Sequence, residues 1–388
     1  MKINIIRGSN QIGGNIIEVS TTSTNVLLDV GLELDNEKNK ELPDVAGLFD
    51  HKGYDAIFIS HYHGDHLGLA YKAHPDIPLY IGKSSYKVIK ASDDYKGIES
   101  IKPAGFMVHN SQIQIGDITV TPYLCDHSAF DSYMVLCEAD GERLLYTGDF
   151  RSNGRKPYEW LLKQLPKNVD KLICEGTTLS RTNYVAETEA DLETQAVELF
   201  RTNIGPIFVL QSSMNIDRIV TMYRAAKRSG RVFLEELYMA DITSAIGGSI
   251  PNPAFDDVYP FITNPARYEG LCKYSNRVGK EFISKKPFVM CVRSSMFRYL
   301  KSLSKEMSFE NGLLIYSFWS GYKETPDMKG FIEECEKLGL TIKTLHTSGH
   351  ADKAAIKKLI ETVNPREIIP VHTEEPGWFE SVGGKQNV

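Results

Sequence analysis

Six consecutive residues, His61-Tyr62-His63-Gly64-Asp65-His66, hold three imidazoles and a carboxylate. They follow YDAIFIS (54–60), a short apolar and β-branched run of the kind that forms a buried strand. The histidines therefore lie where a strand ends. Imidazole and carboxylate suit zinc or manganese, and a loop this dense can serve two adjacent ions. His61 and His63 can point at one ion, and Asp65 and His66, one short turn later, at a second. The bland alternative is a polar surface loop. The chain has only 10 histidines, so three in six positions weigh against it.

Other acid and imidazole side chains also stand at strand ends. Asp29 ends NVLLDV (25–30). His127 lies between the run 118–123 and the strand YMVLCEA. Asp149 follows RLLYT (143–147) and Gly148, and Glu175 follows KLIC (171–174). His350 precedes the helical pattern DKAAIKKLIETV, and His372 follows the strand EIIPV. Taken singly, each histidine would rank as structural and Glu175 as a helix cap or loop acid.

The series carries a family likeness. The His loop resembles the HxHxDH signature of the metallo-β-lactamase fold, and His127 and the Thr-Gly-Asp at Asp149 match its third and fourth motifs. Glu175, SGHA (348–351) and PVHTE (370–374) match motifs A, B and C of its β-CASP nucleases, among which ribonuclease J and the cleavage-and-polyadenylation nucleases are nearest. The motifs keep the family order and cover nearly the whole chain. The resemblance implies an α/β fold: an αββα metallo-β-lactamase sandwich with an inserted α/β β-CASP cap. The expected division is 1–178 for the sandwich, 179–345 for the cap and 346–388 for the return to the sandwich.

The likeness also assigns roles. His61, His63 and His127 would hold one divalent ion and Asp65, His66 and His372 another, with Asp149 bridging. The ions would be zinc, or alternatively manganese, and a shared hydroxide would attack phosphorus. Asp29 would steady the ligands from behind by hydrogen bonding. Catalysis would involve Asp65, His350, as contact to the scissile phosphate or proton donor, and Glu175, orienting a neighbour. Substrate contacts would come from Asn215, Arg218, Ser320, Gly321 and Ser348. The family's Ser-Asn before Ile-x-x-Arg reads Met214-Asn215 here, with Ser212 or Ser213 as stand-ins.

The elements that position these groups alternate strand and helix. Residues 3–7, 15–19 and 25–30 read as strands, a helix begins near Ser84, and 112–115 with 118–123 form a hairpin around Gly116-Asp117. In the insert, an amphipathic helix (186–201), a strand (206–210), a helix through Lys227 and a strand (231–236) suggest a parallel sheet flanked by helices.

At 388 residues the chain has room for two cores, and its net charge of -6 argues against a uniformly basic surface. The insert 179–345 is near neutral, with 21 basic and 20 acidic residues. Within it, 271–305 carries nine basic side chains against Glu281 alone. That is either a solvated face or a track for a phosphodiester backbone. Tyr274, Phe288, Phe297 and Tyr299 are interleaved, as core or as stacking rings. The six cysteines form no C-x-x-C pair and read as buried thiols in a reducing cytoplasm. The N-terminus reads as a first strand and not a signal peptide, and no stretch is apolar enough to span a bilayer. The chain stops soon after His372, so the C-terminal dimerisation domain of ribonuclease J is expected to be absent, and the oligomeric state stays open.

Three functions compete. One is hydrolysis of single-stranded RNA, internally or from an end. A second is hydrolysis of a small ester, lactone or thioester, which has no evident need of a large cap or of His350. The third is a catalytically inactive nucleic-acid-binding protein, against which the complete ligand set argues.

Overall fold

The computed structural model of the chain describes residues 1–34, 42–182 and 184–383. These form two compact units: 1–90, 99–186 and 349–388 make the first, and 91–98 with 187–348 the second. The second unit thus takes in 91–98 besides a main segment, 187–348, that lies close to the 179–345 expected for the insert.

Two six-stranded sheets build the first unit. One contains β1 (Lys2–Arg7), β2 (Ile16–Ser20), β3 (Asn25–Val30), β4 (Ala56–Phe58), β5 (Leu79–Gly82) and β6 (Gly105–Met107), in that order. The other contains β7 (Ile113–Ile115), β8 (Ile118–Cys125), β9 (Ser132–Ala139), β10 (Glu142–Tyr146), β11 (Lys171–Glu175) and, at its far edge beyond β11, the strand Glu367–Val371. Alternation along each strand places one set of apolar side chains between the sheets. Val26, Leu28 and Phe58 from the first sheet meet Val120, Val135, Leu144 and Tyr146 from the second. The alternate residues of the second sheet, among them Leu136, Leu145 and Leu172, pack with helices Tyr158–Gln164 and Lys353–Val363. The latter helix is capped by the Asp352 carboxylate, which accepts from Ala355 N at 2.9 Å.

The second unit is an all-parallel sheet. It comprises β12 (Ile207–Leu210), β13 (Val232–Glu236), β14 (Val258–Phe261), β15 (Phe288–Val292), β16 (Gly312–Tyr316) and β17 (Leu340–Thr344), in spatial order β14-β13-β15-β12-β16-β17. Its central strands β12, β15 and β16 are continuously apolar because both faces are covered, whereas the edge strand β17 (LTIKT) is partly exposed. Leu234 faces helices Phe297–Leu303 and Pro326–Lys337. Phe233, pointing the other way, meets Tyr223 of helix Ile216–Arg228. The strand Glu367–Val371 lies in the first unit, so it is numbered β18.

Five of the six cysteines are buried; Cys272, expected to be buried with them, is exposed, and none is disulfide-bonded. No helix among the described residues is long and apolar enough to cross a membrane.

Candidate metal centre

Every candidate ligand lies in the first unit, at the ends of its strands. Asp65 and His66 fall in the helical turn Gly64–Leu67 that follows β4. The turn needs Gly31: a Cβ there would come within 1.7 Å of the Asp65 carbonyl oxygen. His127 follows β8, Asp149 follows β10, Glu175 ends β11 and His372 follows β18. His372 adopts a left-handed backbone, φ 51°, and its N–H donates to Gly8 O at 2.7 Å.

Asp149 Oδ2 is the hub. It stands 3.2 Å from His66 Nε2, 3.7 Å from His61 Nε2, 3.8 Å from His372 Nε2 and 4.0 Å from His127 Nε2. Ligand-capable atoms of His61, His63 and His127 lie within 4.8 Å of one another, as do those of Asp65, His66 and His372. His61, His66 and Asp149 form a third such set spanning both.

Hydrogen bonding fixes which ring nitrogen faces inward. His66 Nδ1 donates to Asp29 Oδ2 at 2.7 Å. His61 Nδ1 donates to Ser60 Oγ at 3.0 Å, since that hydroxyl itself donates to Asp29 Oδ2 at 2.7 Å. His372 Nδ1 donates to Thr177 Oγ1 at 2.8 Å, and that hydroxyl donates to Glu175 Oε2 at 2.7 Å. His127 Nδ1 donates to Gly349 O. Each arrangement leaves Nε2 as a lone pair aimed at the centre. His63 differs: its Nδ1 faces inward, 3.2 Å from His127 Nε2.

These lone pairs meet with little to satisfy them. His61 Nε2, His66 Nε2 and Asp149 Oδ1 are buried with no hydrogen-bond partner among the described residues. Converging buried acceptors of this kind are costly without a cation between them. Nitrogen and carboxylate oxygen are donors that zinc accepts, and the set fits a divalent ion.

Protonation agrees. Burial first, and then the neighbouring imidazoles, hold His61 and His127 well below the usual histidine range. Burial takes His63 down to about 4, against the pull of Asp65 and Asp149. His66 goes the other way, because Asp149, Asp29 and Asp65 outweigh burial. Burial would raise the carboxyls of Asp65 and Asp149, but His66 and His372 outweigh it and hold both ionised.

His350 sits at the margin, with its side chain 20% exposed. Its Nδ1 is 3.2 Å from Glu175 Oε2 and 3.6 Å from Asp149 Oδ2. Burial opposes protonation, but Glu175 and Asp149 raise the ring above its ordinary value. Glu175 is fully buried and also accepts from Phe150 N at 3.0 Å, so it ties the His350, His372 and Asp149 segments together.

Some contributors escaped the sequence. Ser60, Tyr146 and Thr177 carry no metal signature; their signal is only adjacency to a motif. Tyr146 OH donates to Asp29 Oδ2 at 2.7 Å. Asp126 and Arg151, next to His127 and Asp149, join the two loops through Arg151 Nε to Asp126 Oδ1 at 3.3 Å.

The expected substrate contacts lie in the second unit, and two are committed to structure. Arg218 is fully buried, with Nη2 3.1 Å and Nε 3.2 Å from the Glu189 carboxylate, and Nη1 donates to Ser317 Oγ. Asn215 caps helix Ile216–Arg228, accepting from Arg218 N at 3.1 Å. Ser348 is buried. Ser320 and Gly321 lie on the short turn Ser320–Glu324, with Ser320 exposed. In the basic run, Lys273 pairs with Asp241 at 2.7 Å and Lys285 with Glu281 at 2.7 Å, and Arg293 pairs with Glu236. Its Phe288 and Tyr299 are core.

Residues 24–210 match a family model described as the Beta-lactamase superfamily domain, and 337–377 match a Zn-dependent metallo-hydrolase RNA specificity domain. With the two six-stranded sheets of its first unit, the chain has the metallo-β-lactamase fold. Curated superfamily relatives include ribonuclease J of Helicobacter pylori, 22% identical over 406 residues, covering 96% of this chain and 56% of the relative. Ribonuclease J of Pyrococcus abyssi is 24% identical over 96% of this chain and 90% of its own length. The transcription termination factor FttA of a Lokiarchaeum is 23% identical over 97% of this chain and 67% of its length. The chain thus spans little more than half of the Helicobacter relative. The crystal structure of a protein of unknown function from Enterococcus faecalis V583 superposes with a TM-score of 0.80 at 22% identity, covering 100% of this chain and 97% of that one, so the two share a fold.

Proposed function

We propose that this metallo-β-lactamase-fold chain is a metal-dependent ribonuclease of the β-CASP type, cleaving phosphodiester bonds of single-stranded RNA. The observation that supports it most is the ring of imidazole nitrogens around Asp149 Oδ2, with a partly exposed His350 held by Glu175 at its margin. The RNA specificity model at 337–377 and the ribonuclease J relatives support RNA as the substrate class.

In this reading His61, His63 and His127 would hold one divalent ion and Asp65, His66 and His372 a second, with Asp149 available to both. Bound divalent ions supply an acidified water and draw charge from the phosphoryl oxygens. Asp29 and Thr177 keep the imidazoles turned so that their lone pairs face inward. His350 gives its proton to the leaving oxygen, and Glu175 holds that ring in place. The six unpaired thiols suit a reducing compartment such as the cytoplasm.

The test is incubation of metal-loaded protein with 5′-monophosphorylated single-stranded RNA, duplex DNA and a simple thioester, with and without chelator. Chelator-sensitive loss of the RNA is expected. Turnover of the thioester alone, or RNA binding without turnover, would replace this reading with a small-molecule hydrolase or a binding protein.

A further inference from the structure

The second unit carries an exposed aromatic pair that its core does not use. Trp319 is 47% exposed and Tyr322 48%, with ring centroids 5.5 Å apart and planes at 87°. They occupy the turn after β16, at the carboxyl end of the all-parallel sheet, where open α/β sheets bind their ligands.

The pair is held rather than loose. Gly321 lies under the indole: a Cβ at that position would fall 2.3 Å from two of its ring carbons. The Trp319 carbonyl accepts from Tyr316 OH at 2.9 Å. One indole face therefore rests on backbone, the Tyr322 ring meets Trp319 edge to face, and a large apolar area is presented already in place. Fixing a ring beforehand removes the entropy cost of ordering it on binding.

Beside the rings is a cation. Lys323 Nζ sits 4.6 Å from the Tyr316 ring centroid and 2.7 Å from Thr344 Oγ1. Among the described residues no ion pair to a carboxylate is found for it. The exposed Ser320 hydroxyl is on the same turn. Flat rings for bases, with an uncompensated ammonium and a hydroxyl for the phosphates between them, is the chemistry that grips single-stranded nucleic acid without reading its sequence.

The geometry points to Trp319 and Tyr322 as a base-stacking platform for single-stranded RNA, with Lys323 against the adjoining phosphate. This rests on the ribonuclease reading. A protein partner would use the same apolar area but would gain nothing from bases.

The test titrates the full, metal-loaded chain with a short phosphorothioate oligoadenylate, which resists cleavage, and with an abasic strand of equal length. Tryptophan emission and anisotropy are followed together. The adenylate is expected to quench emission and the abasic strand not. Trp319→Ala and Tyr322→Ala should each weaken adenylate binding about tenfold and leave abasic binding alone. Trp319→Phe should keep most of the affinity while losing the quench. If Trp319→Ala fails to fold, Tyr322→Ala and the parent's own quenching still decide. Cleavage of RNA by the parent together with undiminished adenylate binding by the variants overturns the platform alone. A parent that neither binds nor cleaves RNA overturns the ribonuclease reading, and the platform with it.

Discussion

His372 Nε2 lies 3.1 Å from Asp65 Oδ2, across 307 residues of chain. The His-rich loop is therefore incomplete by itself: its one carboxylate meets an imidazole delivered by the last strand of the fold. His372→Ala should cut bound divalent metal roughly in half, as expected of a two-ion site that loses one ion. Metal analysis of the purified variant checks this, and full metal content would remove His372 from the ligand set.

His350 touches Asp149 at 3.6 Å but is anchored by Glu175 and remains partly exposed. His350→Ala should leave metal content unchanged and lower RNA turnover by ~10²-fold or more, the usual worth of a positioned proton donor. Loss of metal in this variant would make it a ligand instead.

Asp29 accepts four hydrogen bonds, from Ser60 N, Ser60 Oγ, His66 Nδ1 and Tyr146 OH, each at 2.7 Å. An amide in its place turns one acceptor into a donor facing donors. Asp29→Asn should weaken metal affinity ~10–100-fold, the range for partners that orient ligands. Chelator competition measures it. Affinity equal to the parent's would show that the His66 ring keeps its orientation unaided.

The convergence of the candidate ligands was legible because metal chemistry restricts residue type and their motifs stand at strand ends. The supports were not, since Ser60, Tyr146 and Thr177 act through hydroxyls that any fold can use. Arg218 shows a related ambiguity. Its motif placed it near substrate, but a guanidinium is also a structural fork, and here its charge is spent on buried Glu189. In the basic run, Phe288 and Tyr299 take the core place that the sequence also allowed them, whereas the exposed Trp319 and Tyr322 lie on a turn with no periodicity.

That buried pair gives its own prediction. Glu189 is also bonded by Thr221 Oγ1 at 2.6 Å. Arg218→Leu should destabilise the second unit by about 3–5 kcal/mol, because it strands a carboxylate in the core. Adding Glu189→Leu should recover part of that loss. Urea unfolding of both variants decides, and a single variant as stable as the parent would show the pair is not needed.

Glu235 makes the stability of the second unit depend on pH. It is fully buried on β13, Thr243 Oγ1 donates to its Oε2 at 2.9 Å, and its Oε1 has no hydrogen-bond partner among the described residues. Burial raises its pKa from 4.5 to about 8, with Thr243 pulling weakly the other way. The sign follows. Below pH 4.5 the carboxyl is protonated in both folded and unfolded chains and contributes nothing. Between 4.5 and about 8 unfolding releases a proton, so rising pH favours the unfolded chain. The slope is at most about 1.4 kcal/mol per pH unit and vanishes above the folded value, where both states are ionised. Glu235→Gln cannot ionise and should lose this dependence. Urea midpoints of parent and variant taken from pH 5 to 8.5 should diverge, the variant gaining steadily on the parent. Parallel midpoints across that range would mean that Glu235 ionises at an ordinary pH inside the folded chain.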